Sequence, residues 1–317
     1  MQIYHRLEDV AISAPPTVAT IGNFDGVHCA HQHVLAEVVR RAKEIGGRSL
    51  LITFDPHPTR VLRPDRAPKL ITAPADKLAF IGDHGIDAAL VIPFDSTFAR
   101  TTAEEFCTFL ARRANVREIH EGANFRFGRD AVADVKELVR LGATLGFDVV
   151  VYPEQRIRGE VASSSRIRAL ITDGKLNLAW HLLGRAFFVR STPAPGRGYG
   201  SRYTVPTINL AAYPELVPAN GVYVTELEIA GRTWRSVTNA GNRPTFGADS
   251  FAIETHILDF EPMALDESTP LKLTFLHRLR EERRFPSPEA LREQIMRDVR
   301  RARRWFALQE RFRSRVP

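Results

Sequence analysis

Two histidines three residues apart carry the strongest chemical signal in the sequence. His28 and His31 follow residues 17–21, a short apolar run rich in β-branched side chains that predicts a buried strand. From Val34 to Ala42, apolar residues recur three and four positions apart, which predicts an amphipathic helix. Both imidazoles would then lie on one face of the first helical turn, where free N–H groups and partial positive charge attract anions.

The loop between the predicted strand and helix contains two glycines, Gly22 and Gly26, which let the backbone approach a ligand closely. Imidazole rings can donate hydrogen bonds to phosphate oxygens, so the glycines, the histidines and the helix start together predict a phosphate-binding loop. Two histidines on a helix can also be metal ligands or exposed side chains without a role. The order of strand, glycines and histidines favours phosphate binding over both alternatives.

The stretch from Gly22 to His31 resembles the His-x-Gly-His signature of the nucleotidyltransferase superfamily, in its form Gly-x-Phe-Asp-Gly-x-His-x-Gly-His. Ala30 stands where the superfamily has glycine. The resemblance implies that both histidines are catalytic and stabilise the phosphates of a nucleotide. The loop residues that it assigns to nucleotide binding are Gly22, Asn23 and Asp25.

A serine-rich turn before a second helical pattern, at residues 162–171, is another candidate anion site. Its three hydroxyls could be simple helix caps, but Arg166 and Arg168 just inside the helix favour an anion. The turn resembles the Ser-Ser-Thr-x-Ile-Arg element that faces the histidine loop across the nucleotide in the same superfamily. That resemblance implies a catalytic role for Arg168. The serines that it assigns to the nucleotide are Ser163, Ser164 and Ser165.

Two further loops carry recognisable motifs, Thr-Phe-Asp-Pro-His-Pro at residues 53–58 and Gly-Ala-Asn-Phe-Arg-Phe-Gly at residues 122–128. They narrow the resemblance to one family, the bifunctional prokaryotic flavin synthetases, which combine riboflavin kinase with FMN adenylyltransferase. Counted with the motifs above and those of the second half, the match covers nearly the whole chain. The residues that the resemblance places at the flavin in this half are Phe54, Asp55 and Asn124.

Strands alternate with helices throughout the first half, which predicts an α/β domain with a doubly wound parallel sheet. Ligands bind at the carboxyl edge of such sheets. The predicted strands lie at residues 17–21, 49–54, 88–93, 117–121 and 147–152. The helices expected after the histidine loop begin at Thr102, with capping-box spacing, and at Val132, from which the pattern runs to Leu145.

The second half consists of alternating strands without intervening helices, which predicts a small antiparallel β-barrel. The strands are expected at residues 187–191, 221–227, 234–238, 251–258 and 271–276. One long helix follows, with Ser287 as its cap and Pro288 at its first position. The expected buried stripe of that helix is Leu291, Ile295, Val299, Ala302 and Phe306. The change of pattern predicts two domains, and the resemblance implies that these are an FMN adenylyltransferase domain at 1–183 and a riboflavin kinase domain at 184–317.

Three motifs in the second half resemble riboflavin kinases. Pro206-Thr207-Ile-Asn209 is similar to a Pro-Thr-Ala-Asn element whose threonine and asparagine oxygens bind the Mg²⁺ that accompanies ATP. Glu254 matches the catalytic base of the family, although a glutamate in a strand can also simply face outward. A Gly-Arg loop implies phosphate contacts from Gly196 and Gly198, and a further element places Arg243 near the flavin.

The charge of the chain is concentrated at one end. Its formal net charge is +7, and residues 278–317 contain an equal excess of arginine over acidic residues. A basic helix can bind nucleic acid or an anionic membrane, but interspersed acids and the lack of an aromatic platform favour a solvated helix face. Only two cysteines, Cys29 and Cys107, are present, and no apolar run could cross a membrane. We expect a cytoplasmic protein that binds neither membrane nor nucleic acid.

The resemblance implies two consecutive reactions on flavins. Riboflavin would take the γ-phosphoryl group of ATP to give FMN, and FMN would take the adenylyl group of a second ATP to give FAD and pyrophosphate. The expected ligands are thus riboflavin, FMN, FAD and ATP with Mg²⁺. Residues that replace family glycines at Ala30, Ala133 and 203–205 keep open a protein with one active half, or a flavin-binding regulator. Nucleic-acid binding through the basic end is a third alternative, and the oligomeric state is left open.

Overall fold

The computed structural model describes residues 1–10, 15–194, 207–242, 251–259 and 265–313 of the 317-residue chain. Contacts divide the chain into two compact units, Met1–Arg166 and Ile167–Pro317. The predicted domain boundary at 183/184 lies after this division, beyond two helices at Ser164–Thr172 and Leu176–Leu183. It stays a prediction.

The first unit contains ten described strands and the greater part of the helices. The strands are β1 (Gln2–Tyr4), β2 (Thr17–Ile21), β3 (Arg48–Asp55), β4 (Ala88–Pro93), β5 (Val116–Gly122), β6 (Arg126–Phe127), β7 (Ala133–Asp134), β8 (Asp148–Tyr152), β9 (Arg156–Ile157) and β10 (Glu160–Val161). The helices are α1 (Cys29–Glu44), α2 (Pro58–Leu62), α3 (Pro74–Asp83), α4 (Ala103–Arg112) and α5 (Val135–Leu145). Helix α6 (Ser164–Thr172) begins at the end of this unit, and α7 (Leu176–Leu183) follows it.

Six strands of the first unit form a parallel sheet in the order β1-β4-β3-β2-β5-β8. From β2 the chain passes to β3 and β4 on one side, and it later returns to β5 and β8 on the other side. The direction of winding therefore reverses between β2 and β5. In a sheet of this kind, that reversal opens a crevice at the carboxyl ends of the two strands.

Neighbouring residues of the central strands face two separate cores, as the alternation of a strand requires. Val18 and Leu51 pack with α1 and α3 on one face, whereas Ala19 and Leu50 pack with α4 and α5 on the other. The predicted doubly wound parallel sheet is confirmed.

The predicted start of the helix before Leu145 is wrong by three residues. Ala133 and Asp134 form β7, which pairs with β6, and α5 begins only at Val135. The Asp134 carboxylate accepts hydrogen bonds from the backbone N–H groups of Lys136 and Glu137, at 2.9 and 3.1 Å. Because the Asp134 side chain caps α5, the first turn of the helix begins after Asp134.

The second unit contains an antiparallel sheet and a long helix. Its strands are β11 (Phe187–Ser191), β12 (Pro193–Ala194), β13 (Ile208–Leu210), β14 (Gly221–Ile229), β15 (Arg232–Asn242), β16 (Phe251–Ile257) and β17 (Leu271–Arg280), and its last helix is α8 (Pro288–Arg313). The sheet order is β11-β17-β14-β15-β16-β13-β12, and every pairing is antiparallel.

The two outermost strands of this sheet, β11 and β12, follow each other in the chain with only Thr192 between them. The sheet must therefore curve until its two edges approach each other. The backbone N–H of Ala211, after β13, donates to the Thr192 carbonyl at 2.8 Å and closes this edge. The predicted antiparallel barrel with a long C-terminal helix is confirmed.

Helix α8 begins at Pro288, and the Ser287 hydroxyl accepts the N–H of Ala290 at 3.3 Å, as expected for its cap. Val299, Ala302 and Phe306 are buried against the sheet. The same face also buries a polar residue that the apolar pattern did not indicate. Asp298 is 1% exposed and accepts hydrogen bonds from Arg280 of β17 and from Gln294, both at 2.9 Å.

Candidate active sites

A cavity of about 930 Å³ opens at the carboxyl edge of the parallel sheet. Its wall contains the end of β2, the end of β3, the loop after β5 and the end of β8. The cavity thus occupies the crevice where the winding of the sheet reverses. The predicted site residues that line it are Gly22, Asn23, His28, His31, Phe54, Asn124, Ser163, Ser164 and Ser165.

The two histidines are positioned by the start of α1. His28 is the N-cap residue, and its Nδ1 accepts the backbone N–H of His31 at 3.4 Å. The two imidazole rings are stacked, with centroids 3.6 Å apart, and the Phe24 ring packs against His31 at 4.8 Å. The helix start therefore holds both rings at the cavity wall, at the positive end of the helix dipole.

His31 is held in its neutral form. Burial lowers its pKa well below the usual value, and the nearby His28 and Lys77 act in the same direction. Its Nδ1 is enclosed and has no hydrogen-bond partner in the part of the chain that the structure describes. At neutral pH this ring is an uncharged donor rather than an imidazolium.

Lys77 of α3 supports the histidine loop from outside the cavity, a role that sequence reasoning missed. Its ammonium donates to the Asn23 carbonyl at 3.2 Å and to Thr53 Oγ1 at 3.0 Å. Burial lowers its pKa, while the charges of Asp25 and Asp55 oppose this effect. The sequence offered only a weak signal, a lysine directly followed by the apolar residues Leu78, Ala79, Phe80 and Ile81.

Asp25 and Asp55 do not line the large cavity. Together with Lys77 they line a small neighbouring cavity that shares Asn23 and Phe54 with the large one. The buried Asp25 carboxylate accepts the backbone N–H groups of Ile71, at 3.0 and 3.1 Å, and of Thr72, at 3.1 Å. In this structure Asp25 fixes the loop before α3.

The serine turn closes onto the histidine loop. Ser164 Oγ donates to the backbone carbonyl of Asp25 at 2.8 Å, which ties residues far apart in sequence. Ser163 Oγ accepts the N–H of Arg166 at 3.2 Å and so caps α6. Arg166 forms two hydrogen bonds with Glu160, at 2.7 and 2.8 Å. Arg168 lies further along α6, in the second unit.

One part of the cavity wall is aromatic. The Phe54 ring packs on Phe94 and Phe98, with centroid distances of 5.7 and 6.0 Å, and Phe125 stacks on Phe127 at 5.3 Å. All five rings line the cavity. Only Phe54 was predicted from the sequence as a flavin contact. Phe125 and Phe127 were visible in the sequence as members of the loop motif at residues 122–128, and Phe94 and Phe98 only as apolar residues after a predicted strand.

A buried carboxylic acid in the same wall, Glu121, was also missed. It lies near the end of β5, and its Oε1 accepts the backbone N–H of Ile21 at 2.5 Å and the Thr20 hydroxyl at 3.4 Å. Burial raises the pKa of Glu121 well above the usual value. The sequence signal was an acidic residue next to Gly122 at the end of a predicted strand.

In the second unit, Asn209 and Glu254 are paired directly across β13 and β16. On the other side, Glu254 is paired with Asn239 of β15. Glu254 is half-buried, and Thr207 immediately precedes β13. Tertiary pairing thus brings a carboxylate between two amide side chains. The predicted residues Gly196, Gly198 and Arg243 lie outside the described residues, as do residues 203–205.

Comparison with known proteins covers both halves of the chain. A family model described as FAD synthetase matches residues 11–166, and one described as riboflavin kinase matches residues 183–306. A bifunctional riboflavin kinase/FMN adenylyltransferase from Pseudomonas fluorescens is 35% identical over 305 residues, which are 96% of this chain and 97% of that protein. The chain belongs to the bifunctional riboflavin kinase/FMN adenylyltransferase family.

A second relative of that name and a solved structure also match most of this chain. The protein of that name from Escherichia coli strain K12 is 32% identical, over 92% of this chain and 93% of its own. A solved structure described as a macrolide-efflux protein from Streptococcus pneumoniae has a TM-score of 0.85 and 27% identity, and covers 96% of this chain and 98% of its own. The chain is a flavin-synthesising enzyme with a riboflavin kinase half and an FMN adenylyltransferase half.

The described part of the chain shows neither a cluster of metal-ligating side chains nor a membrane-spanning helix. No group of three or more His, Cys, Asp or Glu side chains there is arranged to hold a metal ion. No helix among the described residues is both long and apolar enough to span a membrane.

Proposed function

We propose that the two reactions take place at two separate sites, one on each kind of sheet. FMN is adenylylated in the cavity of the parallel sheet, and riboflavin is phosphorylated beside the Asn209–Glu254 pair. The observation that supports this most is the stacked histidine pair at the start of α1, in the wall of a cavity at the winding reversal. The proposal assigns residues 1–183 to adenylylation and 184–317 to the kinase reaction.

In the adenylylation site, a phosphate oxygen of FMN attacks the α-phosphorus of ATP, and pyrophosphate leaves. No protein nucleophile is required, so the protein acts by positioning the two phosphates and stabilising charge. His28, His31 and the N–H groups at the start of α1 donate hydrogen bonds to the phosphates. Ser164 and Arg168 of α6 contribute further donors. Because His31 is neutral, it contributes a hydrogen bond rather than a full charge.

The aromatic part of the cavity wall suits the isoalloxazine ring of FMN. Flat rings stack well on aromatic side chains, and Phe54 lies in the middle of the cluster with Phe94 and Phe98. Asn124, in the loop after β5, offers donors and an acceptor to the polar edge of the ring. With the isoalloxazine ring on the phenylalanine cluster, the end of the cavity beside His28 and His31 is left for the phosphates.

In the kinase site, Glu254 takes the proton from the ribityl 5′-hydroxyl of riboflavin as that oxygen attacks the γ-phosphate of ATP. A magnesium ion fits the donors present, because Thr207 and Asn209 offer a hydroxyl and an amide oxygen, and Mg²⁺ takes few protein ligands when phosphates complete its shell. When bound there, the ion neutralises charge on the phosphates. We further propose that the enzyme acts in the cytoplasm and needs neither membrane nor nucleic acid.

Two double variants test the proposal through their products from riboflavin and from FMN, with ATP and Mg²⁺. His28→Ala with His31→Ala removes two phosphate donors, each worth about 100-fold or more in rate, so this variant should stop at FMN. Thr207→Ala with Asn209→Ala should abolish FMN formation, yet still convert supplied FMN to FAD. Chromatographic separation of FMN from FAD gives both rates.

His84→Ala, at the C-cap of α3, and the exposed Thr233→Ala on β15 serve as matched controls and should leave both rates unchanged. Circular dichroism shows whether each variant is folded. Loss of both activities in either folded double variant would contradict two separate sites. A native protein that makes neither product would instead support the flavin-binding regulator.

A further inference from the structure

The carboxyl group of Glu121 has one oxygen engaged and one oxygen left over. The side chain is 5% exposed and lines the large cavity. Its Oε1 accepts from Ile21 N–H and from the Thr20 hydroxyl. Its Oε2 has no hydrogen-bond partner among the residues that the structure describes, and it is not sealed off from the cavity space. A ligand in the cavity is therefore the available partner for Oε2.

Leaving such an oxygen unbonded is unfavourable. A polar group removed from water without a partner costs free energy, and a buried carboxylate costs more than a neutral acid. Burial accordingly raises the pKa of Glu121. Since Oε1 already accepts two hydrogen bonds, the proton of the neutral acid belongs on Oε2, which then donates into the cavity and can also accept.

We propose that Oε2 of Glu121 binds a sugar hydroxyl of a substrate, either on the ribose of ATP or on the ribityl chain of FMN. This inference rests on the proposed adenylylation in the same cavity. Both substrates carry sugar hydroxyls between a phosphate and a flat ring, on the ribose of ATP and on the ribityl chain of FMN. In the cavity, Glu121 likewise shares the wall with the phosphate-binding start of α1 and with the phenylalanine cluster.

A phosphate is a poorer partner for this oxygen than a hydroxyl. A hydroxyl can donate to Oε2 or accept from it, so the contact survives whether the acid is neutral or ionised. A phosphate can only accept from a protonated Oε2, and an ionised Glu121 would repel it. Donors for phosphate are already present at the histidine end of the cavity.

The test measures kcat/KM for FAD formation with substrates that lack single hydroxyls. ATP is compared with 2′-deoxy-ATP and 3′-deoxy-ATP, and FMN with analogues that lack one ribityl hydroxyl. The wild-type protein should lose about tenfold or more with one of these analogues, since a hydrogen bond to a buried polar group is lost. The substrate that shows the loss identifies which sugar Glu121 contacts.

The discrimination is the ratio of kcat/KM for the natural substrate to kcat/KM for the analogue. In the variants Glu121→Val and Glu121→Leu this ratio should fall to about one, because neither side chain can form a hydrogen bond with the hydroxyl. Glu121→Gln keeps an oxygen for Ile21 N–H and an amide for the substrate, so most of the discrimination should return. A purely structural role would lower all rates together and leave their ratio unchanged. Whichever apolar variant is folded by circular dichroism is sufficient for the comparison.

Glu118→Gln is the matched control, because Glu118 lies on the same strand and does not line the cavity. Its ratio should equal that of the wild type. Unchanged ratios in the folded apolar variants, or no discrimination by the wild type, would overturn the inference. Complete absence of FAD formation by the wild type would overturn the proposed adenylylation itself, so the two failures are distinguishable.

Discussion

At the scale of single residues, a buried ammonium group holds the histidine loop in place. Lys77 links α3 to the Asn23 carbonyl and to Thr53 of β3, and it lies close enough to His31 to lower the pKa of that ring. The same side chain thus has a structural and an electrostatic effect. The two effects can be separated by experiment, because the structural effect changes the free energy of unfolding and the electrostatic effect changes the pKa of His31.

Lys77→Met removes both hydrogen bonds of the ammonium group, so the free energy of unfolding should fall by about 1–3 kcal/mol. Removing a positive charge favours the imidazolium form, so the pKa of His31 should rise toward its usual value. Urea unfolding and NMR titration of the His31 ring measure the two changes. Lys136→Met on α5, which is exposed, should produce neither. An unchanged pKa of His31 in the folded Lys77 variant would contradict this electrostatic role.

At the scale of elements, the substituted glycines occupy ordinary backbone conformations. Ala30 lies in the first turn of α1, and Ala133 lies in β7 with its side chain buried in the core of the first unit. Neither residue has a positive φ, whereas Gly128, before β7, does. Alanine fits helix and strand without strain, so these two substitutions do not by themselves favour a degenerate enzyme.

Ala30→Gly should therefore weaken the helix without improving catalysis. Glycine in a helix costs up to about 1 kcal/mol relative to alanine, and the unfolding free energy should fall by that amount. The rate of FMN adenylylation should change by less than about tenfold, or ~1.4 kcal/mol of barrier. Ala36→Gly, exposed on the same helix, should show the stability loss with no change in rate. If the native protein makes no FAD and the Ala30→Gly variant does, this interpretation is wrong.

At the scale of the whole molecule, part of the basic C-terminal segment is used in packing. Arg280 pairs with the buried Asp298 at 2.9 Å, Arg303 pairs with Asp259 at 2.6 Å, and Arg301 donates to the Leu279 carbonyl at 3.0 Å. Exposed pairs contribute little to stability, but they neutralise charge that a nucleic acid would need. The described contacts favour a solvated helix over a nucleic-acid site.

The native protein should accordingly bind a short DNA duplex only weakly at about 0.15 M salt, with a shallow dependence on salt concentration. Fluorescence anisotropy over a range of salt concentrations measures both quantities. Arg300→Glu with Arg304→Glu, which reverses two exposed charges on α8, should leave FMN and FAD formation unchanged. Sub-micromolar binding by the native protein that this variant loses would favour the nucleic-acid alternative.

The local elements and the main loops of the protein could be predicted from the sequence, because apolar spacing, caps and glycine-rich turns act over a few residues. His28, His31 and the serine turn were found for that reason, as were the parallel sheet and the barrel. The start of α5 was not predicted correctly, because the sequence is compatible both with a helix from Val132 and with a short pairing of β6 with β7. The cap formed by Asp134 in the folded chain decides between them.

Tertiary structure alone decided which distant residues meet. The contacts of Lys77 with Asn23 and Thr53, of Asp25 with residues 71–72 and of Glu121 with Ile21 join segments far apart in the chain. The pairing of Asn209, Glu254 and Asn239 depends on strand register, and a shift by one residue would turn these side chains to the other face. Buried polar groups find their partners by packing and hydrogen bonding across the fold, and no local periodicity in the sequence encodes those partners.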